Sequence, residues 1–382
     1  VTVTGPLELP PDPSPGGLVV APADEVPATA RRPWNVAAAT GLGPLPGTSP
    51  DEAARSVAGE LPDLPHLAEL PGRGAGADAV GRTVSLLVDI WADVVPSGWR
   101  VSRRPGRDTR RAVDFLSWDL DAAEQHYAGA DWVKVQVVGP WSLAAAIETP
   151  SGNRALTDAG AVRDLAASLG EGLAAHLADV RRRLPAAGVV LQLDEPDLPA
   201  VLAGSLPTAS GFGTVRAIDE QVVRDVLAEL VATVGSIDTA GTVAALGTAG
   251  TVGTPVLAVC PDPRAPLGLL REIGASALWV DATAVGTAAA RLDPIGEAVE
   301  AGVAIVAGLV PAAGPTTPRS LGAAARPLTE AWRRLGLPRT SLADVVVTPT
   351  GSLAQVSADR AVTAMATCRR LAQALQDPPD GW

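Results

Sequence analysis

The sequence predicts an α/β fold, most simply a (β/α)8 barrel preceded by an irregular N-terminal tail. Three observations lead there. From Val36 onward, short apolar runs of strand length alternate with longer amphipathic stretches, the pattern of covered parallel strands. About eight such runs fit into the roughly 340 residues after the tail, as a barrel of this kind requires. No Gly-x-Gly-x-x-Gly follows any of them, and the first leads into Pro44-Leu45-Pro46-Gly47, which argues against a doubly wound nucleotide-binding sheet.

Residues 1–33 read as a tail. Pro10-Pro11-Asp12-Pro13-Ser14-Pro15-Gly16-Gly17 has neither a helical nor a strand period and too little apolar surface to bury. Residues 34–382 read as one barrel domain. Its strand candidates are Val36–Gly43, Trp99–Ser102 (the weakest), Trp132–Gly139, Val189–Glu195, Pro255–Cys260, Ala277–Asp281, Val303–Gly308 and Asp344–Pro349. Most are β-branched runs suited to a strand buried on both faces. Ser49-Pro50-Asp51-Glu52 is a capping box with proline at the first helical position, so a helix starts there. Val162, Leu165, Leu169, Leu173, Leu177, Val180 and Leu184 recur at three and four, giving one apolar helix face. Ile218–Val234, Pro266–Ile273, Pro318–Leu335 and Ala358–Leu375 read likewise as helices. Thr239-Ala240-Gly241-Thr242-Val243 recurs at Thr248–Val252, a duplication too short and too rich in Gly and Thr to be a structural repeat.

Composition excludes several classes of function. A net charge of −12 disfavours a nucleic-acid partner bound through its phosphates. Two cysteines, Cys260 and Cys368, exclude a disulfide scaffold and fit a reducing cytoplasm. No apolar run reaches the roughly 18 residues of a membrane span. The expectation is a soluble cytoplasmic protein. Lys134 is the single lysine among 30 basic residues.

In a parallel barrel, functional residues gather at the carboxyl ends of strands. Those ends carry Leu42-Gly43-Pro44, Gly139-Pro140-Trp141, Asp194-Glu195-Pro196, Cys260, Asp281, Gly308 and Thr348-Pro349-Thr350. Adjacent carboxylates leaving a strand point to opposite faces, so one of Asp194 and Glu195 faces the barrel mouth, where it can hold an ammonium group or accept a proton. Cys260 reads either as a thiolate nucleophile or metal ligand, or as a small buried hydrophobe. His66, His126 and His176 read as structural or solvated, with His66, near an early strand, the best placed of the three. Lys134 and Gln136 share a strand face; if that face is the interior, Lys134 needs an anionic partner, and Asp194 or Glu195 is a candidate.

These strand ends, in this order, resemble the catalytic barrel of cobalamin-independent methionine synthase, and more narrowly its short single-barrel actinobacterial relatives. The likeness runs from about Ala37 to Ala374. It rests on Thr40-Gly41-Leu42-Gly43 with Pro46-Gly47-Thr48, on Lys134 with Gly139-Pro140, on Gln192-x-Asp194-Glu195-Pro196, on the Cys260 strand, and on Thr348-Pro349-Thr350 with Leu353. The resemblance implies a barrel of the methionine synthase/uroporphyrinogen decarboxylase type. It implies methyl transfer to the thiol of homocysteine, in amino-acid biosynthesis, from a folate or a corrinoid donor. It implies zinc, which makes the thiolate by coordinating sulfur. Cys260 and Asp281 match two zinc ligands, whereas Ala258 and Gly351 occupy the other two ligand positions, and Pro44 stands where the family has a serine contact. Asp194 matches the residue that binds the substrate amino group; Glu195 and Cys260 complete the implied catalytic set, and Leu42, Gly43, Lys134, Gly139 and Trp141 the implied substrate contacts. Two readings follow: a methyltransferase with a degraded zinc site, or an inactive barrel serving as a small-molecule binding or regulatory protein.

Overall fold

A computed structural model describes residues 38–208, 211–237, 253–312 and 320–378. The expected tail, the start of the first strand run at Val36, the Thr239–Val252 duplication and the Pro318 start of a late helix lie outside the described residues.

In chain order the elements are α1 (Pro50–Glu60), α2 (Ala79–Val84), β1 (Trp91–Val95), β2 (Gly98–Ser102), α3 (Arg107–His126), β3 (Trp132–Val138), α4 (Pro140–Ala146), β4 (Ile147–Glu148), α5 (Ala159–Arg183), β5 (Gly188–Asp194), α6 (Leu198–Ala203) and α7 (Glu220–Ser236). They continue as β6 (Val256–Val259), α8 (Leu267–Glu272), β7 (Ala277–Asp281), α9 (Ala289–Glu300), β8 (Ala304–Val310), α10 (Leu321–Leu335), β9 (Val346–Pro349) and α11 (Ala358–Gln376). Six strands form one curled parallel sheet in the order β3-β5-β6-β7-β8-β9.

Both edges of that sheet are occupied. Against β9, Thr40 N–H donates to the Val347 carbonyl (3.0 Å) and Val347 N–H to that of Ala38 (2.9 Å). Against β3, Leu67 N–H donates to the Lys134 carbonyl (2.8 Å) and Lys134 N–H to that of Pro65 (2.9 Å). The two edge segments also join each other, Leu45 N–H to Glu69 O (2.8 Å) and Glu69 N–H to Gly43 O (3.0 Å). Backbone groups that an open sheet edge would leave unpaired are thereby satisfied.

The helices follow from their caps and apolar faces. Ser49 accepts from Glu52 N–H at the start of α1, as the capping box requires. Asp158 caps α5, whose Leu165, Leu169, Leu173 and Leu177 are buried. The unpredicted α9 carries Pro294 in its interior, which masks its period in the sequence. No helix of the described residues is long and apolar enough to cross a membrane.

One strand assignment is corrected. Trp99–Ser102 does not belong to the parallel sheet; it lies in β2, antiparallel to β1 across a turn at Pro96-Ser97, with β4 on its other side. The place beside β3 goes instead to the segment around His66. Its Pro65 and its buried polar residues interrupt the apolar run that would mark a strand.

Strand alternation sorts the core. A small inner cluster takes Val190 from β5, Leu257 and Val259 from β6, Trp279 from β7, Val306 from β8 and Val346 from β9. The alternate positions face outward into the larger cluster shared with the helices.

Candidate functional site

Trp132, Lys134 and Gln136 take alternate positions on β3, and Val190, Gln192 and Asp194 on β5, so all six face inward. The register sets Gln136 opposite Gln192 and Val138 opposite Asp194 at the carboxyl end of the pair. Lys134 is completely buried and reaches up to donate from Nζ to Gln192 Oε1 (2.5 Å). The Gln192 amide passes the connection on, donating to Asp194 Oδ1 (2.8 Å) and to the Leu42 carbonyl (3.0 Å).

The segment beside β3 adds two groups. Glu69 is 2% exposed, and Gly43 makes room for it: a Cβ there would fall 3.0 Å from Glu69 Oε1 and 2.9 Å from Gln136 Nε2. Gly43 also has φ +121°, a conformation that only glycine adopts without strain. His66 Nδ1 accepts from Gly41 N–H (3.2 Å), and its carbonyl accepts from Tyr127 Oη (2.8 Å). Gln136 Nε2 donates to the Leu67 carbonyl. His66 Nε2 and Gln136 Oε1 are buried without a hydrogen-bond partner among the described residues.

The electrostatics of this cluster are dominated by burial. Asp194 is pushed up to about 8, first by desolvation and then by the charge of Glu69, against the Gln192 hydrogen bond and Lys134. Burial pushes Lys134 down to about 8, opposed by Asp194 and Glu69. Glu69 is also raised by burial, with Arg82 the main opposing charge, and burial holds His66 well below its usual range. Arg82 is itself buried against Asp119, which also takes Arg73 at 2.8 Å. The chemistry available is therefore a carboxyl at the mouth that holds its proton near neutrality, backed by an amine and a second acid.

Glu195 turns the other way. It accepts from Trp141 N–H (3.0 Å), Ser142 N–H (2.8 Å) and Ser142 Oγ (2.6 Å), which fills the open amides of the first turn of α4. Burial raises its carboxyl to about 7. A side chain at Gly139 would collide with Glu195. Trp141 is buried, its indole N–H donating to the Val223 carbonyl (3.3 Å). Gly139, Trp141 and Glu195 thus form a brace on the helix side, away from the mouth cluster.

Cys260 continues the outward alternation of Val256 and Ala258 and joins the helix-side core at 2% exposure. Burial pushes its thiol up to about 12, with Glu195 the foremost of the carboxylates that add to the shift. Asp281, at the end of β7, accepts from Thr283 N–H (3.0 Å) and Oγ1 (2.6 Å). Both residues line a cavity of about 160 Å³ alongside α9. Ala258 is buried and has no donor atom in its side chain. Among the described residues, no three His, Cys, Asp or Glu side chains gather to hold a metal ion. Cys368 is buried in α11, and His126 Nε2 lies 2.7 Å from Asp51 Oδ1. His176 is buried on α5, and burial lowers it to about 4.

The structure thus brings Leu42, Gly43, Lys134 and Asp194 together from the sequence-derived set and joins them to Glu69, Gln136, Gln192 and His66. Glu69 was not singled out in the sequence. Its only signal is an acid in the apolar run Leu64–Leu70, and its partners are distant in the chain.

No protein-family model matches the chain, and no curated protein matches it. Among solved structures it is similar to a B12-independent methionine synthase from Shewanella sp. W3-18-1, in complex with selenomethionine. The TM-score is 0.54 at 10% identity, over 89% of this chain and 98% of that one. A methyltransferase from Methanosarcina mazei superposes with a TM-score of 0.47 at 11% identity, over 88% of this chain and 92% of that one. The likeness to the methionine synthase, at 10% identity, is one of fold: an α/β architecture around a curled parallel sheet.

Proposed function

We propose that this chain is a small-molecule-binding protein on a methionine-synthase-like fold, holding an amino-acid ligand by its ammonium group at Asp194 without zinc. In this reading the six-stranded sheet and its two edge segments together make a complete eight-position barrel, and residues 34–382 are its domain. One observation carries it: Asp194 stands at the carboxyl end of β5 on the same inward face as Lys134 and Gln192, whereas Cys260 alternates to the opposite face of the sheet. A ligand ammonium would displace the proton of Asp194 and leave an ion pair, with Gln192 holding the carboxylate in place. The methionine synthase of similar fold is complexed with selenomethionine, so methionine and homocysteine are the first ligands to test.

The residues do not fit zinc. Cys260 and Asp281 are two donors where catalytic zinc has three protein ligands, and Ala258 and Gly351 supply no side-chain donor. The second reading, methyl transfer to homocysteine from a folate or corrinoid, is favoured by one observation: Cys260 and Asp281 share a cavity. Calorimetric titration with methionine and homocysteine, after chelation and again with added zinc, separates the two. Equal binding in both conditions is expected. Zinc at one per chain, with homocysteine binding only when zinc is present, would select the second reading.

A further inference from the structure

We infer that the cavity beside α9 is a second ligand site, one that takes a small uncharged aromatic or alkyl molecule. The cavity measures about 160 Å³, room for a single aromatic ring, and opens to solvent at one side. Its walls are Trp279, Leu267, Val285, Pro294 and Ile295, with Cys260 at its inner end.

The polar side chains that line it, Asp262 and Thr350 among them, each have a hydrogen-bond partner: Arg264 Nη2 donates to Asp262 Oδ2 (2.9 Å) and Ala312 N–H to Thr350 Oγ1 (3.4 Å). Trp279 Nε1 donates to Thr348 Oγ1 (2.9 Å), so its indole offers the cavity a carbon surface. Asp281 Oδ1 is held by Thr283, and Arg291 Nη1 donates to the Ala284 carbonyl (2.9 Å). Cys260 is 2% exposed and packs as a small hydrophobe. Pro261, Ala284 and Ala290 are exposed at the rim and leave a way in. Carbon walls with committed polar groups favour a ligand that brings neither charge nor unmet hydrogen bonds. This site does not depend on the Asp194 reading.

The test uses indole as the probe, titrated into the full chain by calorimetry. Saturable binding is expected. Filling the rim with Ala290→Phe should weaken indole at least tenfold, and Ala284→Phe repeats the test should the first variant fold poorly. Asp194→Asn should leave indole binding unchanged while abolishing methionine binding, so the two sites fail separately. No saturable binding up to the solubility limit of indole, or binding that survives both filling variants, would overturn the inference.

Discussion

Replacing Lys134 by Met keeps the volume of a completely buried side chain and removes its charge. Two costs follow. Gln192 Oε1 loses the donor now at 2.5 Å, and an orphaned buried acceptor costs about 1–3 kcal/mol. Asp194 loses the cation that opposes its burial and Glu69 the second of its two after Arg82, and leaving a buried charge unpaired costs about 3–5 kcal/mol when it has no other outlet. Here an outlet exists, because both carboxyls already sit above their usual range and can take up protons. The charge cost therefore shrinks at low pH. The expected loss is about 2–4 kcal/mol at pH 8 and about 1–2 kcal/mol at pH 6. Urea unfolding followed by tryptophan fluorescence and circular dichroism reads it, with coincidence of the two probes as the condition for converting midpoints to free energies. A loss below about 0.5 kcal/mol at both pH values would mean that Lys134 behaves as a solvated side chain. An equal loss at both would mean that its charge is irrelevant. A double-mutant cycle with Asp194→Asn should return a coupling energy rather than a simple sum.

Asp194→Asn should flatten the pH dependence of stability. The carboxyl is raised to about 8 in the folded chain, so between its ordinary value near 4 and 8 the folded state holds a proton that the unfolded state has released. That contribution is complete below pH 4 and lost as pH rises through 8; melting temperatures from pH 5 to 8 should therefore fall less steeply in the variant. Glu195→Gln should cost about 1–3 kcal/mol, since it removes the charged acceptor of three hydrogen bonds at the start of α4. Thermal melts should record that loss, and methionine titration should stay unchanged because Glu195 faces the helices.

Much of this arrangement is legible from alternation alone. β3 and β5 through β9 are compact apolar runs, and period two on β3 puts Lys134 and Gln136 on one face. The same rule separates Asp194 from Glu195, and the structure turns the first inward and the second toward α4. Applied to Val256, Ala258 and Cys260, it also gives the outward face of the thiol, which the match to zinc-ligand positions obscured. What is not legible arises from contacts distant in sequence. The 64–70 segment owes its place beside β3 to backbone bonds with Lys134, yet locally Pro65, His66 and Glu69 break every strand signal. Trp99–Ser102 has strand chemistry, but its partner is the adjacent β1, a pairing set by the two-residue turn at Pro96-Ser97.

The most direct test of ligand binding at Asp194 is methionine titration of the chelator-treated chain across pH 6 to 8, run in buffers of different ionisation enthalpy. An ammonium that displaces the Asp194 proton should bind about tenfold more weakly for each pH unit below 8, release close to one proton, and lose its site in Asp194→Asn. Affinity independent of pH and unchanged in Asp194→Asn, or binding that returns only with zinc, would contradict the account.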